Sequence, residues 1–272
     1  MNLSESTYYA DPKVSRAQQE ERDADLRGKI EQIRFEFETS GYRVLLRHLK
    51  RSGVVVGERR LRRVMSRFQM YIRPKKRFIH TTDSQHGHRV YPNLVKGKEL
   101  DGLNQVWAGD FTYIRIENGF VFLAVILDLY SRKVIGWGVS KRIDTNLALS
   151  ALQMAIARRQ PASGVIHHTD RGVQYMSDEY TAALKRHGFQ ISCSAKGNPY
   201  DNAFVESFMK TLKRDEVYLK KYRTYLGVIE NLPRFIEEVY NKKRLHSGLD
   251  YCPPDEYEEK INQGASRTKL KL

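Results

Sequence analysis

The sequence predicts an α/β domain preceded by a small all-helical one, and three observations carry that expectation. Apolar residues recur at helical spacing before Met70, strand-like runs begin at Val106, and strands then alternate with helices. At 272 residues and 40% hydrophobic side chains, the chain has room for one ordinary domain and a smaller companion.

Taken in order, Leu26, Ile30, Ile33 and Phe37 mark one amphipathic helix, and Tyr42, Leu45, Leu46 and Leu49 mark a second after the break at Ser40-Gly41. Beyond Ser52-Gly53 and Val54-Val55-Val56, a third stripe of Leu61, Val64, Met65 and Phe68 appears, with Arg59, Arg60, Arg62, Arg63 and Arg67 on its other faces. A short helix, a glycine-containing turn and an arginine-rich helix suit a helix-turn-helix reader of duplex DNA. Residues 73–104 are polar and aperiodic, and Lys75, Lys76 and Arg77 make them a basic linker expected to lie along DNA. Val106–Tyr113, Phe120–Leu129 and Lys133–Ser140 then read as three strands with short turns, an antiparallel meander. A helix over Thr145–Arg159, a strand over Val165–Thr169, a helix over Ser177–His187, a short strand over Gln190–Ser192 and a further helix complete the pattern.

Charge narrows the partner. Of a formal net charge of +15, residues 41–100 carry +13, a density suited to a phosphate backbone. Two cysteines, Cys193 and Cys252, cannot build a disulfide framework, and no apolar stretch of membrane-spanning length exists. A cytoplasmic, nucleoid-associated protein is expected.

Three carboxylates suggest the chemistry. Asp110 is expected to end the first strand of the meander and Asp170 the fourth, where sheets present ligands, and carboxylates suit the hard ion magnesium. In the helix that follows Pro199, Val205, Phe208, Met209 and Leu212 form the apolar stripe. Asn202, Glu206, Lys210 and Lys213 share another face, so Glu206 is free to turn toward the sheet edge with cations one and two turns behind it.

The strings around these acids carry a family resemblance. Trp107…Asp110-Phe111-Thr112-Tyr113, His168-Thr169-Asp170-Arg171-Gly172-Val173-Gln174-Tyr175 and Gly197-Asn198-Pro199-Tyr200-Asp201-Asn202-Ala203-Phe204-Val205-Glu206 resemble the motifs of the OrfB transposases of the bacterial insertion-sequence-three family. The 35 residues between Asp170 and Glu206 match the DD(35)E arrangement of the retroviral-integrase-like superfamily. Asp128–Trp137 and Tyr240-Asn241…Arg244-Leu245-His246-Ser247…Pro254 extend the likeness.

The resemblance implies a ribonuclease-H-like integrase catalytic core, a mixed sheet flanked by helices, over 105–222. A helical, helix-turn-helix-like region over 1–72 precedes it, then the linker over 73–104, and a helical extension over 223–272 follows. It implies Asp110, Asp170 and Glu206 as ligands of two Mg2+ ions, with Mn2+ able to substitute, and Lys213 as a contact to the DNA end. It further implies cleavage and strand transfer at terminal inverted repeats and target DNA, a homo-oligomer on DNA, and an OrfA partner or fusion.

Other roles compete for some residues. Asp128 is a second candidate near metal, with a structural role favoured. Asp201 and Asn202 read as helix caps. His167 and His168 are expected beside the metal or DNA rather than on the metal, since magnesium prefers oxygen. His80, His86 and His88 lack the cysteine pair of a zinc module. Two rival functions are a DNA-binding regulator with an inactive core and a covalent tyrosine recombinase, the latter suggested by the H-x-x-R string His168–Arg171 and 16 tyrosines.

Overall fold

The computed structural model describes residues 15–71, 91–194, 202–264 and 269–272, in two units, Met1–Arg77 and Phe78–Leu272. Lys75, Lys76, Arg77, His80, His86, His88 and the stretch from Gly197 to Asp201 lie outside the described residues.

The first unit has three described helices: α1 (Arg16–Glu36), α2 (Tyr42–Arg51) and α3 (Glu58–Arg67). Leu26, Ile30, Leu45, Leu49, Leu61, Val64 and Met65 form its core, as the stripes predict. Helix α1 begins ten residues before the first core leucine. Its start is set by a capping box in which Ser15 Oγ accepts from the Gln18 amide at 3.2 Å and the Gln18 side chain accepts from the Ser15 amide at 3.1 Å. Gly53, with φ +78°, closes α2 through a bond from Val54 N to Leu49 O.

The second unit is built on a five-stranded sheet, β2 (Val106–Ile116), β3 (Gly119–Asp128), β4 (Val134–Ser140), β5 (Ile166–Thr169) and β6 (Gln190–Cys193), in the order β4-β3-β2-β5-β6. The predicted meander is present: β2, β3 and β4 pair antiparallel, whereas β5 and β6 run parallel to β2. Helices α4 (Thr145–Arg159), α5 (Val173–Met176) and α6 (Asp178–Arg186) cover one face around Trp107, Ala124 and Ile126. Helix α7 (Ala203–Leu212) and the C-terminal helices cover the other around Val106, Ala108, Ile114, Val125 and Leu127. The strict alternation along β2 is what sorts its side chains between the layers.

Helix α4 sits unusually close to β4. A Cβ at Gly136 would come 2.2 Å from the Ala151 carbonyl oxygen, so backbone meets backbone and even alanine would force the layers apart. The start of α4 is fixed by Asp144, whose side chain accepts from Leu147 N at 2.9 Å.

Helix α7 continues through a π-helical turn, Lys213–Val217, into α8 (Tyr218–Lys220), followed by α9 (Tyr225–Arg234), a second π turn over Phe235–Asn241 and α10 (Pro254–Asn262). This segment is bolted to edge strand β4. Asn241 accepts from Val134 N at 3.0 Å and donates to Val134 O at 2.9 Å, and Glu237 accepts from Trp137 Nε1 at 2.7 Å. Residues 91–104, read from sequence as linker, contribute buried Val95 and Leu100 and strand β1 (Glu99–Leu100), which pairs with β7 (Leu270–Lys271). No helix among the described residues is long and apolar enough to cross a membrane.

Candidate active site

Strands β2 and β5 pair only from Val106↔Ile166 to Ala108↔His168, and beyond that rung they part. The notch so opened holds two acids. Asp110 follows two residues after the last rung, and Asp170 is the first residue after β5. The expectation that Asp110 ends its strand is corrected: it lies within β2, opposite Val125, because β2 runs on to Ile116 against β3 after losing β5. Gly109 fits the narrowing, since a Cβ there would touch Thr169 Cγ2 at 3.4 Å.

Each carboxylate is held by backbone. Asp110 Oδ1 accepts from Phe111 N at 2.7 Å, and Asp170 Oδ1 accepts from Gly172 N at 2.9 Å. Burial, then the negative charge of Asp170 and, more weakly, of Glu206 push the Asp110 carboxyl up to about 8, against the pull of the Phe111 amide and the Lys213 ammonium. The notch therefore concentrates negative charge that its own cations only partly offset.

Glu206 occupies the first turn of α7, on the polar flank that sequence assigned it, with its side chain 36% exposed and Oε2 3.3 Å from Lys210 Nζ. Among the described residues no three His, Cys, Asp or Glu side chains are gathered closely enough to hold one metal ion. The structure thus brings Asp110 and Asp170 together and leaves Glu206 within electrostatic reach, held aside by Lys210.

Helix α7 is tied to the notch at its start. Asn202 stands at the N-cap but makes no side-chain cap bond, correcting the expected role; its Nδ2 instead donates to Gly109 O at 3.5 Å, and its Oδ1 is buried without a partner. Lys213 closes α7 in helical geometry, its amide bonded to Met209 O and Lys210 O, and the π turn runs on from it. Its ammonium sits 4.6 Å over the Tyr113 ring, and burial lowers its pKa while Asp110 raises it.

Tyr175, unremarked in sequence except as part of a motif string, floors the notch. It is 1% exposed, stacks on Phe111 at 4.6 Å, and its hydroxyl has no partner. Burial, Tyr180 and the two nearby aspartates push that hydroxyl well above the ordinary tyrosine value.

Other candidates fall elsewhere. Asp128 pairs across from Trp107 at the far end of β3, and its oxygens accept from Asn104 N at 2.6 Å and Tyr130 N at 2.9 Å. It is a structural anchor for two loops, held up to about 6 by burial. His168 is fully buried between Ser192 Oγ at 2.8 Å and Ser194 Oγ at 3.1 Å, so it stitches β5 to β6 and has no access to DNA. His167 bonds the Tyr180 hydroxyl at 2.8 Å. In the first unit, Arg60 and Arg63 converge on Asp23, which is 2% exposed, at 3.2 and 3.1 Å, and Arg67 reaches Glu20 at 3.5 Å. Arg62 pairs with Glu58 at 3.5 Å, leaving Arg59 exposed and without an ion pair among the described residues.

A mixed sheet in this strand order, two aspartates where β2 and β5 diverge and a glutamate on the helix across them define a ribonuclease-H-like polynucleotidyl transferase. Residues 101–199 match the family described as integrase core domain, and residues 187–254 match a second family of the same description. The chain is 36% identical over 212 residues to the transposase for insertion sequence element IS904 of Lactococcus lactis, covering 78% of this chain and 84% of that protein. It is 34% identical over 267 residues to the 31 kDa protein of insertion element IS600 of Shigella sonnei, covering 97% and 98%. Against transposase InsF for insertion sequence IS3A of Escherichia coli it is 43% identical over 186 residues, covering 68% and 65%. The chain belongs to the IS3 family of DDE transposases.

Proposed function

We propose that Asp110, Asp170 and Glu206 hold two Mg2+ ions, replaceable by Mn2+, and that the site cuts and joins DNA at the element's terminal inverted repeats. The observation that carries this reading is the placing of Asp110 and Asp170 where β2 and β5 part, with Glu206 in the first turn of α7 close enough for its charge to act on Asp110. The donor set fits: all three side chains offer hard oxygens, and the orphaned Asn202 Oδ1 and Tyr175 hydroxyl could bond the waters a magnesium ion retains. Bringing Glu206 in costs little, because its exposed bond to Lys210 is an i,i+4 pair worth about 0.3–0.5 kcal/mol.

Bound magnesium would supply charge neutralisation for the attacking and leaving oxygens of an in-line displacement. The chain's own residues do the remaining work. Phe111 N and Gly172 N orient the two aspartates, Asn202 fixes the start of α7 against β2, and the freed Lys210 and half-buried Lys213 meet phosphates of the DNA end. The helical unit grips flanking DNA through a helix-turn-helix of α2 and α3, with Arg59 and Arg62 among its exposed cations and Lys75, Lys76 and Arg77 following in sequence. Joining two element ends calls for a homo-oligomer, an OrfA partner or fusion completes the enzyme, and the working place is the bacterial nucleoid.

The test is incubation with labelled element-end DNA in magnesium, calcium or EDTA, beside Asp110→Asn. Cleavage and joining are expected in magnesium alone and only with Asp110 intact. Activity that survives EDTA would overturn the proposal in favour of a covalent mechanism.

A further inference from the structure

Two motif stretches, one around Ser131-Arg132-Lys133 and the other around Arg244-Leu245-His246-Ser247-Gly248, take no part in the carboxylate site, yet the fold brings them together. Arg132 lies in the connection from β3 to β4 with a left-handed backbone, φ +61°, which costs a non-glycine residue conformational energy. Its guanidinium carbon stands 3.6 Å from the Phe204 ring centroid, and a methyl on Gly248 would come 3.6 Å from its Nη2. Its Nε is enclosed without a partner, and among the described residues it makes no ion pair. Tyr240 and Tyr257 are the titratable groups that act on it, and burial lowers it to about 10. The neighbouring cation differs: Arg244 is matched by Asp215. His246, held at about 3 by burial and by Arg244 and Arg132, contributes an uncharged ring whose Nε2 is likewise enclosed and unpartnered. The result is one largely buried, uncompensated guanidinium whose terminal nitrogens are open to solvent, a state that invites an anion.

Its place on α7 says which anion. Phe204 and Glu206 are two residues apart, about 200° around the helix, and therefore mark opposite flanks. Between them the outward face is formed by Ala203, Ser207 and Lys210, all exposed and two of them small, so a nucleic-acid backbone could lie close across it.

We propose that Arg132 is a phosphate clamp for the DNA that crosses the outer face of α7, on the flank opposite the scissile site. The fixed stack on Phe204 presents the guanidinium fork without a rotamer search. With a helix diameter of about 10 Å and a rise of about 3.4 Å per nucleotide, the clamped phosphate lies about three nucleotides from the cut. The inference rests on Glu206 belonging to the DNA-cutting site, but its test needs binding only, so the two can fail separately.

The experiment uses the full chain, in EDTA or calcium, with duplexes carrying the terminal repeat that flanks the gene. Single neutral methylphosphonate linkages are walked along each strand, and affinity is read by fluorescence anisotropy for wild type, Arg132→Gln and Arg132→Lys. Arg132→Gln is expected to weaken binding roughly tenfold, to lower the salt slope by about one, and to become insensitive to neutralisation at one or two adjacent linkages to which wild type responds. Arg132→Lys, which keeps the charge and loses the fork, should retain that sensitivity with intermediate affinity. A folded Arg132→Gln protein with the wild-type linkage profile and salt slope overturns the proposal. So does a variant weakened equally at every linkage with a large fall in melting temperature, which would make Arg132 only a brace for α7.

Discussion

Replacing Asp110 with asparagine tests the electrostatics of the notch directly. The folded carboxyl sits at about 8 against an ordinary 3.8, so the unfolded chain releases this proton far more readily than the folded one. Without metal, this group's contribution to stability is fully present below about pH 4 and is lost as the pH rises through about 8. Full conversion of a shift of about four units gives about 6 kcal/mol, but Asp110 is partly open to water and shares its repulsion with Asp170, so screening reduces this to roughly 2–3 kcal/mol. Asparagine has nearly the same shape and no charge, and it removes that cost. At about pH 8.5 in EDTA, Asp110→Asn should melt about 5–10 °C above wild type, and near pH 4 the two should coincide. Magnesium reverses the ranking: it should raise the wild-type melting temperature more at high pH than at low pH, and leave the variant nearly unmoved. The assay is thermal denaturation across pH with EDTA or magnesium, with strand cleavage measured alongside. A variant less stable than wild type at high pH in EDTA, or one that gains as much from magnesium, would refute the reasoning.

Lys213→Ala should lose element-end affinity and about one unit of salt slope while costing no more than about 1 kcal/mol of stability, since it gives up a stack on Tyr113 and a partial offset of the Asp110 charge; a large drop in melting temperature with binding intact would show that Lys213 is structural. Asp128→Ala leaves the amides of Asn104 and Tyr130 without their acceptor and should cost about 2–4 kcal/mol, without changing the magnesium dependence of melting. An altered magnesium response in that variant would move Asp128 into the metal site. Asp23 is pushed up by burial but brought below its ordinary value by Arg60, Arg63 and Gln19, so Asp23→Ala should loosen the helical unit and release both arginines. Weaker melting with undiminished, more salt-sensitive DNA binding is expected, and loss of binding in a fully folded variant contradicts it.

The carboxylates were legible in the sequence because each stands in a string whose neighbours fix its element: Gly109 before one, the strand His167–Thr169 before another, an apolar stripe behind the third. The strands and helices were legible for the same reason, their periodicity. What escaped notice depends on contacts between segments far apart in the chain. The structural role that sequence favoured for Asp128 has partners no spacing names, the amides of Asn104 and Tyr130. Helix α1 reaches back to Arg16 through polar residues with no apolar period, stabilised by the Ser15–Gln18 box and the Asp25–Lys29 pair. The π turn at Lys213 changes the helical register, and no spacing rule announces it. Tyr175 acquires its place only when Phe111 of another element stacks on it.

The amide of Asn241, bonded to both backbone groups of Val134, has a consequence for how copies of the protein can meet. A bare edge strand is an adhesive margin, open to another chain's strand. On β4 that margin is stopped up by side chains, Asn241 at one end and Tyr225, whose hydroxyl reaches Val139 O at 3.5 Å, near the other. Strand addition along β4 is therefore blocked at both ends of the strand. Any association of copies along this edge would have to run through helices and loops, and a substitution such as Asn241→Ala would be expected to show itself first as aggregation.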